Sequence, residues 1–158
     1  MSQTRFVAVI DIGKTNAKVA LVDLETRSEL AVEKTPNVVL TEPPYPHFDT
    51  ERLFTFILDG LAKFAATHPV DAISITTHGA TAAFIADDGS LALPVLDYEH
   101  IGPDSLRAEY EAVRPPFTET GSPSLPMGLN LGAQLYWQAK SFPQEFARTR
   151  HVLMYPQY

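Results

Sequence analysis

The chain has 158 residues, of which 45% are hydrophobic and 20% are charged, and its formal net charge at pH 7 is −7. That composition is typical of a globular chain with a substantial core, and the negative charge argues against a nucleic-acid-binding surface. The absence of cysteine excludes disulfides and thiolate metal sites. The sequence shows neither the apolar core of a signal peptide nor a membrane-spanning stretch. We therefore expect a cytoplasmic protein with no membrane and no nucleic-acid partner.

Two short predicted strands near the start, residues 6–10 and 18–22, enclose a turn that is equipped for phosphate. Its glycine permits a close backbone approach, and successive N–H groups in such a turn can form a concave nest for anionic oxygens. A carboxylate beside the nest could hold a hydrated Mg²⁺. The candidate phosphate-binding residues are Asp11, Gly13, Lys14, Thr15, Asn16 and Lys18.

The spacing of this turn excludes the two better-known phosphate loops. The chain has no G-x-x-x-x-G-K-[ST] motif, and no G-x-G-x-x-G motif opens a helix here. The alternative is an ordinary hairpin, in which Asp11 and Asn16 serve only the geometry of the turn. Taken alone, the residues of the turn leave both interpretations open.

The next elements continue an antiparallel meander and then leave it. A second turn at 23–27 leads to a third predicted strand at 29–32, and the proline-rich residues 35–47 indicate an extended loop. A helix follows, capped by Asp49 or Thr50, with apolar residues at intervals of three and four. It should pack one side on a sheet and end where a proline forbids continuation.

The second half of the chain alternates short strands with turns and helices. Residues 71–76 have the apolar character of a buried crossover strand, and a turn follows at 77–80. The remaining predicted elements are a hairpin of strands 82–86 and 91–96, helices 103–113 and 131–141, a loop at 115–128 and a strand at 151–154. This order indicates an α/β domain with a mixed sheet rather than an all-parallel one. No closing element follows the last strand, so we expect an incomplete domain.

Taken together, these motifs resemble the N-terminal portion of the FGGY-family carbohydrate kinases, within the actin/hexokinase/Hsp70 group of ATPases. The resemblance rests on residues 11–18, on the strand and turn 73–80, and on the hairpin 87–90 leading into 93–99. It covers nearly all of residues 1–158 but only about the first third of such a kinase. It implies an RNase-H-like domain that is truncated here, with the adenosine-binding second domain absent. Within the family, the pattern looks closest to the rhamnulokinases and fuculokinases.

The resemblance implies transfer of the γ-phosphoryl group of ATP to a hydroxyl of a ketose or polyol, with rhamnulose and fuculose as examples. Asp11 matches the acid that organises Mg²⁺, through water, and Lys18 matches a basic position that contacts the β- and γ-phosphates. The residues that match the phosphate-facing turn are Gly13, Lys14, Thr15 and Asn16. Lys14 departs from the small hydroxyl residue common at its position. ATP, Mg²⁺ and a sugar are the implied ligands, and self-association of the full-length protein stays open.

The same resemblance implies a set of sugar contacts. Thr77, His78 and Gly79 match the loop that touches the sugar, and Tyr98 and Glu99, beside Asp97, fall where the family places further substrate contacts. A histidine can both donate and accept hydrogen bonds, which suits recognition of hydroxyl groups. The alternatives are a structural histidine, two exposed loop acids at 97 and 99, and a tyrosine packed on the domain edge.

Several other conspicuous residues are predicted to be structural. Asp49 is expected to be a helix N-cap, and Trp137 to pack in the core or at the domain edge. Asp87 and Asp88 are expected to be turn residues.

The resemblance also implies which group is missing. The family's general base is an aspartate expected beyond Tyr158, so no catalytic residue is assigned within this chain, and the chain alone is expected to be inactive. Two alternatives remain: another sugar kinase that also starts with Asp-x-Gly, and a non-enzymatic nucleotide-binding module of the actin or chaperone type. The Thr-His-Gly turn followed by the Asp-Asp-Gly-Ser hairpin favours the FGGY kinases.

Overall fold

The structure is a computed structural model, and it describes residues 4–158. These residues form two compact units. Of the described residues, the first unit contains 4–38 together with Asp49–His78, and the second contains Val39–Phe48 together with Gly79–Tyr158. Each unit has its own sheet.

The first unit is built on a four-stranded mixed sheet with the order β3-β2-β1-β6. The three meander strands pair antiparallel, and β6 pairs parallel with β1. The strands are β1 (Phe6–Ile12), β2 (Asn16–Asp23), β3 (Ser28–Pro36) and β6 (Ala72–Thr77). The predicted meander and the predicted mixed sheet are therefore confirmed.

Helix α1 (Thr50–Ala65) packs on one face of this sheet. Asp49 caps it as predicted, since its carboxylate accepts the backbone N–H of Arg52 at 3.1 Å. A Cβ on Gly60 would lie 3.2 Å from Cβ of Val19, so this glycine lets the helix approach β2 closely. The face that meets the sheet is buried at Leu53, Gly60 and Phe64.

Strand β6 differs from the prediction of a buried strand. It lies at the edge of the sheet, and Ile73 and Ile75 are 53% and 50% exposed. The apolar pattern of residues 71–76 is the same whether a strand has neighbours on both sides or on one. Periodicity therefore correctly predicts a strand here, although it cannot show that the strand is covered.

The second unit contains a three-stranded antiparallel sheet with the order β8-β7-β9 and a short β4–β5 pair. The strands are β4 (Val39–Leu40), β5 (His47–Phe48), β7 (Ala82–Ala86), β8 (Leu91–Leu93) and β9 (Thr149–Met154). The helices are α2 (Arg107–Val113), α3 (Phe117–Thr120), α4 (Leu131–Ser141) and α5 (Pro143–Phe146), with 3₁₀ turns at Gly102–Leu106 and Tyr155–Gln157.

Three predicted segments are only partly right. The loop predicted at 35–47 includes the last two residues of β3, all of β4 and the first residue of β5. The loop predicted at 115–128 contains the single-turn helix α3. The helix predicted at 103–113 starts as a 3₁₀ turn before α2. Short pieces of this kind have too few residues for a periodic apolar pattern, so sequence patterns miss them.

The core of the second unit combines aromatic and aliphatic side chains, and Trp137 lies within it as predicted. Its ring contacts those of Tyr45, His100 and Phe142 at centroid distances of 5.4–5.6 Å. The predicted turn at 87–90 is also confirmed, because Asp88 accepts the backbone N–H of Ser90 at 3.0 Å. Within residues 4–158, no helix is long and apolar enough to cross a membrane.

Candidate functional site

The turn between β1 and β2 has a tightly closed base. The N–H of Gly13 donates to the carbonyl oxygen of Asn16 at 2.9 Å, which leaves Lys14 and Thr15 at the tip. A Cβ on Gly13 would lie 3.0 Å from that oxygen, a tighter contact than most Cβ atoms make. The two strands therefore approach closely at this glycine, while its role toward phosphate stays a prediction.

Asp11 and Lys18 face each other across the hairpin, and one residue pair, Ile12 and Ala17, separates them from the turn. Lys18 Nζ lies 3.2 Å from Asp11 Oδ2, and the two side chains are 43% and 40% exposed. Their neighbours Ile10 and Val19 point toward α1, so the charged pair lies on the opposite face of the sheet. Both charged groups are therefore accessible to a ligand on that face.

The strand register extends this pair into a polar row across all four strands. Lys34 of β3 is the partner of Lys18, and Thr76 of β6 is the partner of Asp11. Paired residues share a face of the sheet, so Lys34, Lys18, Asp11 and Thr76 lie side by side. Sequence reasoning missed Lys34, because its place depends on the register of β3 and not on a local motif.

Asn37 is a second residue that the sequence reasoning missed. It directly follows β3 and is 8% exposed. Its side-chain Nδ2 donates to the carbonyl oxygen of Gly13 at 2.9 Å. Its backbone N–H donates to the carbonyl oxygen of Thr15, also at 2.9 Å. Asn37 thus holds the turn from the side of β3.

Thr77 and His78 lie at the same end of the sheet as the turn. β1 and β6 run parallel, so their carboxyl ends meet there, and Thr77 is the partner of Ile12. The N–H of His78 donates to the carbonyl oxygen of Ile12 at 2.7 Å, and the Thr77 hydroxyl donates to the His78 carbonyl oxygen at 3.0 Å. The structure therefore brings these two predicted sugar contacts next to the predicted phosphate turn.

The other predicted contacts, Gly79, Tyr98 and Glu99, belong to the second unit. The Gly79 carbonyl oxygen accepts the hydroxyl of Thr81 at 3.3 Å, and the Tyr98 carbonyl oxygen accepts the N–H of Gly128 at 2.9 Å. Glu99 is exposed, as the alternative interpretation expected.

Asp97 is buried, in contrast to the exposed loop acid of the alternative interpretation. It is 8% exposed, and its carboxylate accepts the backbone N–H of Glu99 at 3.1 Å. Burial lowers the pKa of neighbouring His100, and the charge of Asp97 partly opposes that effect. Asp97 therefore shapes the 97–100 turn.

Gln134 of α4 links two loops of the second unit. It is 1% exposed, and its side-chain amide donates to the carbonyl oxygens of both Ala80 and Gly128. Ala80 has a φ of 53°, a left-handed conformation that costs a non-glycine residue about 1 kcal/mol. The loop after β6 is thus held in an unfavourable backbone conformation by a residue 54 positions away.

The donor set around Asp11 fits Mg²⁺ better than a transition metal. Mg²⁺ is commonly bound through one carboxylate, waters and phosphate oxygens, and Asp11 offers a carboxylate that is 40% exposed. Among residues 4–158, no group of three or more histidine, cysteine, aspartate or glutamate side chains could hold a metal ion. A magnesium site at Asp11 would therefore depend on ligands supplied by a bound phosphate.

Comparison with solved structures finds carbohydrate kinases. A carbohydrate kinase from Novosphingobium aromaticivorans is 39% identical with a TM-score of 0.89, and the match covers 99% of this chain and 33% of that one. A ligand-bound xylulose kinase from Lactobacillus acidophilus is 15% identical with a TM-score of 0.76, covering 93% and 31%. A xylulose kinase from Rhodospirillum rubrum is 23% identical with a TM-score of 0.72, covering 95% and 32%. The two xylulose kinases are evidence for the fold alone.

This chain spans about a third of the length of these enzymes. No protein-family model matches the sequence, and no curated protein matches it. The structural neighbours nevertheless agree with the sequence motifs on two points: the fold, and the resemblance to carbohydrate kinases.

Proposed function

We propose that this chain, whose structural neighbours are carbohydrate kinases of the FGGY type, supplies the phosphate-binding hairpin and part of the sugar site for ATP-dependent phosphorylation of a sugar. The observation that carries the proposal is the arrangement at one end of the four-stranded sheet. There, the Asp11–Lys18 pair and the glycine turn lie beside Thr77 and His78, at the carboxyl ends of the parallel strands β1 and β6. In open α/β sheets, ligands commonly bind at this end.

The hairpin is proposed to bind the phosphates of ATP. Lys18 provides a cation on the accessible face of the sheet. In the turn of Gly13, Lys14, Thr15 and Asn16, the N–H of Gly13 closes the base, and the N–H groups of the three following residues are proposed to face the phosphates. Asp11 is proposed to hold Mg²⁺ through water, where the ion would neutralise charge on the β- and γ-phosphates. Because ATP is the donor, we propose the cytoplasm as the compartment.

Thr77 and His78 are proposed to contact the sugar. A sugar has no charge, so discrimination requires a set of donors and acceptors that a wrong substrate leaves unpaired. For the second unit we propose substrate contacts at Gly79, Tyr98 and Glu99. The proposed substrate is a ketose or deoxy-ketose of the rhamnulose or fuculose kind, as the sequence motifs favour.

In the proposed reaction, a sugar hydroxyl oxygen bonds to the γ-phosphorus while the bond to the β–γ bridging oxygen breaks and ADP leaves. The hydroxyl proton passes to a base that we place outside residues 1–158. The chain alone is therefore expected to bind ligands without turning them over. A coupled assay should detect no sugar-dependent release of ADP.

Titration calorimetry on the 158-residue chain tests the proposal. Mg·ATP should bind, and among rhamnulose, fuculose, glucose and glycerol the ketoses should bind best. His78→Ala should weaken ketose binding at least about tenfold, the cost of losing a hydrogen bond to a hydroxyl, and leave Mg·ATP binding within about twofold. His68→Ala is the matched control, since the His68 ring makes a tilted contact with Phe6 at the opposite end of the sheet.

The outcomes separate the alternatives. Unchanged ketose binding in His78→Ala would refute the assignment of His78 as a sugar contact. Mg·ATP binding without any sugar binding would favour a non-enzymatic nucleotide-binding module. Sugar-dependent ADP release by the chain alone would overturn the placement of the base.

A further inference from the structure

Asn37 is a buried amide that holds the turn between β1 and β2 and has no part in the proposed function. Its side chain hydrogen-bonds the carbonyl oxygen of Gly13, and its backbone N–H bonds the carbonyl oxygen of Thr15, both at 2.9 Å. The tip residue Lys14 lies between these two contact points in the sequence. Asn37 therefore holds both flanks of the tip, although it lies 24 residues from Gly13.

These two hydrogen bonds fix the direction of two peptide groups in the turn. In a planar trans peptide, the C=O and the N–H of the following residue point in opposite directions. With the Gly13 oxygen directed at Asn37, the N–H of Lys14 points away from Asn37. The same holds for the Thr15 oxygen and the N–H of Asn16. The turn therefore directs donors to the side away from Asn37, as an anion-binding turn requires.

Asn37 is in turn anchored from the start of α1. The N–H of Asp49 donates to the carbonyl oxygen of Val38 at 3.0 Å. The guanidinium of Arg52 donates to the carbonyl oxygen of Pro36 at 2.9 Å. The residues on both sides of Asn37 are thus tied to the helix, so the amide cannot follow a movement of the turn without breaking these contacts.

The donor side of the amide is the part that makes this contact. A carbonyl oxygen only accepts, so the atom that faces Gly13 must be Nδ2. Oδ1 of Asn37 is buried, and among residues 4–158 it has no hydrogen-bond partner. An aspartate at this position would keep the shape and replace the donor with an oxygen facing another oxygen.

We propose that Asn37 is a positioning residue for phosphate binding, which holds the tip so that the N–H groups of Lys14 and Asn16 face the phosphate oxygens. It acts through the turn and does not touch the phosphate. This inference rests on the proposed phosphate role of the hairpin. A failure of that role and a failure of Asn37 give different results in the Asn37→Asp experiment.

The test compares Asn37→Asp with Asn130→Asp in the 158-residue chain. Asn130 is a matched control, because its side-chain amide also donates to a carbonyl oxygen, that of Pro123 at 3.0 Å, in the second unit. Asn37→Asp should shift the amide NMR resonances of Lys14 and Asn16 in the ligand-free chain. It should also weaken Mg·ATP binding about tenfold, at a temperature well below the Tm of either variant. Asn130→Asp should do neither.

Unchanged resonances or unchanged Mg·ATP binding in folded Asn37→Asp would overturn the inference, and a loss of Tm alone would reduce Asn37 to a structural role. If Asn37→Asp does not fold, the wild-type chain still tests the inference. When Mg·ATP is added, the largest shifts should be those of the Lys14 and Asn16 amide resonances. Larger shifts elsewhere would overturn the inference. A wild-type chain that does not bind Mg·ATP refutes the phosphate role of the hairpin itself. In that case the ligand-free resonances still show whether Asn37 sets the turn.

Discussion

Replacing Lys18 with methionine should leave the fold almost as stable as before. The ammonium lies 3.2 Å from the Asp11 carboxylate, and the two side chains are 43% and 40% exposed. At that distance, the Coulomb attraction is about 1 kcal/mol in bulk water and about 5 kcal/mol at an effective dielectric constant of 20. Ordering two exposed side chains and the screening by salt offset most of this, so exposed pairs typically contribute about 0–1 kcal/mol. We expect the free energy of unfolding to fall by less than about 1 kcal/mol.

The same substitution should weaken Mg·ATP binding much more. A hydrogen bond from a charged donor contributes about 1.5–3 kcal/mol, which is about a 10- to 100-fold change in the dissociation constant. Removing Lys18 also leaves the Asp11 carboxylate without its counter-charge, and the unpaired negative charge repels phosphate. Both effects act in the same direction, so we expect a loss toward the upper end of that range.

Lys63→Met is the matched control for this prediction. Lys63 also forms a lysine–carboxylate pair, 3.1 Å from Glu33, but on the face of the sheet that α1 covers. Thermal unfolding should give similar Tm values for the two variants, and calorimetry should show weakened Mg·ATP binding for Lys18→Met alone. Equal Mg·ATP affinities would refute the reasoning. A large drop in Tm for Lys18→Met alone would show that the Asp11–Lys18 pair is structural.

Three further changes have defined outcomes. Asp11→Asn should weaken binding of Mg·ATP but not of metal-free ATP, because the carboxylate attracts the ion and repels phosphate; calorimetry with and without Mg²⁺ measures this. The hydrogen bond from Arg5 lowers the pKa of Asp23 to about 2. The ionised Asp23 carboxylate therefore contributes fully to stability above about pH 4, and this contribution is lost as the pH falls towards 2. Asp23→Asn should therefore flatten that part of a plot of Tm against pH. Gln134→Leu leaves two carbonyl oxygens without their donor and should cost about 2–5 kcal/mol in urea unfolding.

The elements that the sequence predicts well are set by local chemistry. Asp49 caps α1 because its carboxylate reaches an N–H only three residues away. Asp88 and Gly89 build their turn in the same local way, with Gly89 at a φ of 83°. The Asp11–Lys18 turn is found for a similar reason, since a short continuous apolar run on each side predicts a strand and leaves the polar residues between the two strands.

The residues that the sequence does not reveal depend on distant partners. Asn37 contacts Gly13 across 24 residues, and Gln134 contacts Ala80 across 54. Neither lies in a recognisable motif, because an asparagine after a strand or a glutamine in a helix is usually exposed. Lys34 enters the polar row only through strand register. These contacts need the folded backbone before they can be identified.

The register of one hairpin links the stability of the first unit to its proposed site. Ile10 and Val19 are paired on the face that α1 covers, so Asp11 and Lys18 must be paired on the other face. If β2 slipped by one residue against β1, Val19 would leave the face that α1 covers and Lys18 would take its place. Burial of Ile10 and Val19 therefore disfavours a register that hides either charge. Asn37 adds a second constraint at the tip, where no apolar burial acts, and this is why a buried amide is useful there.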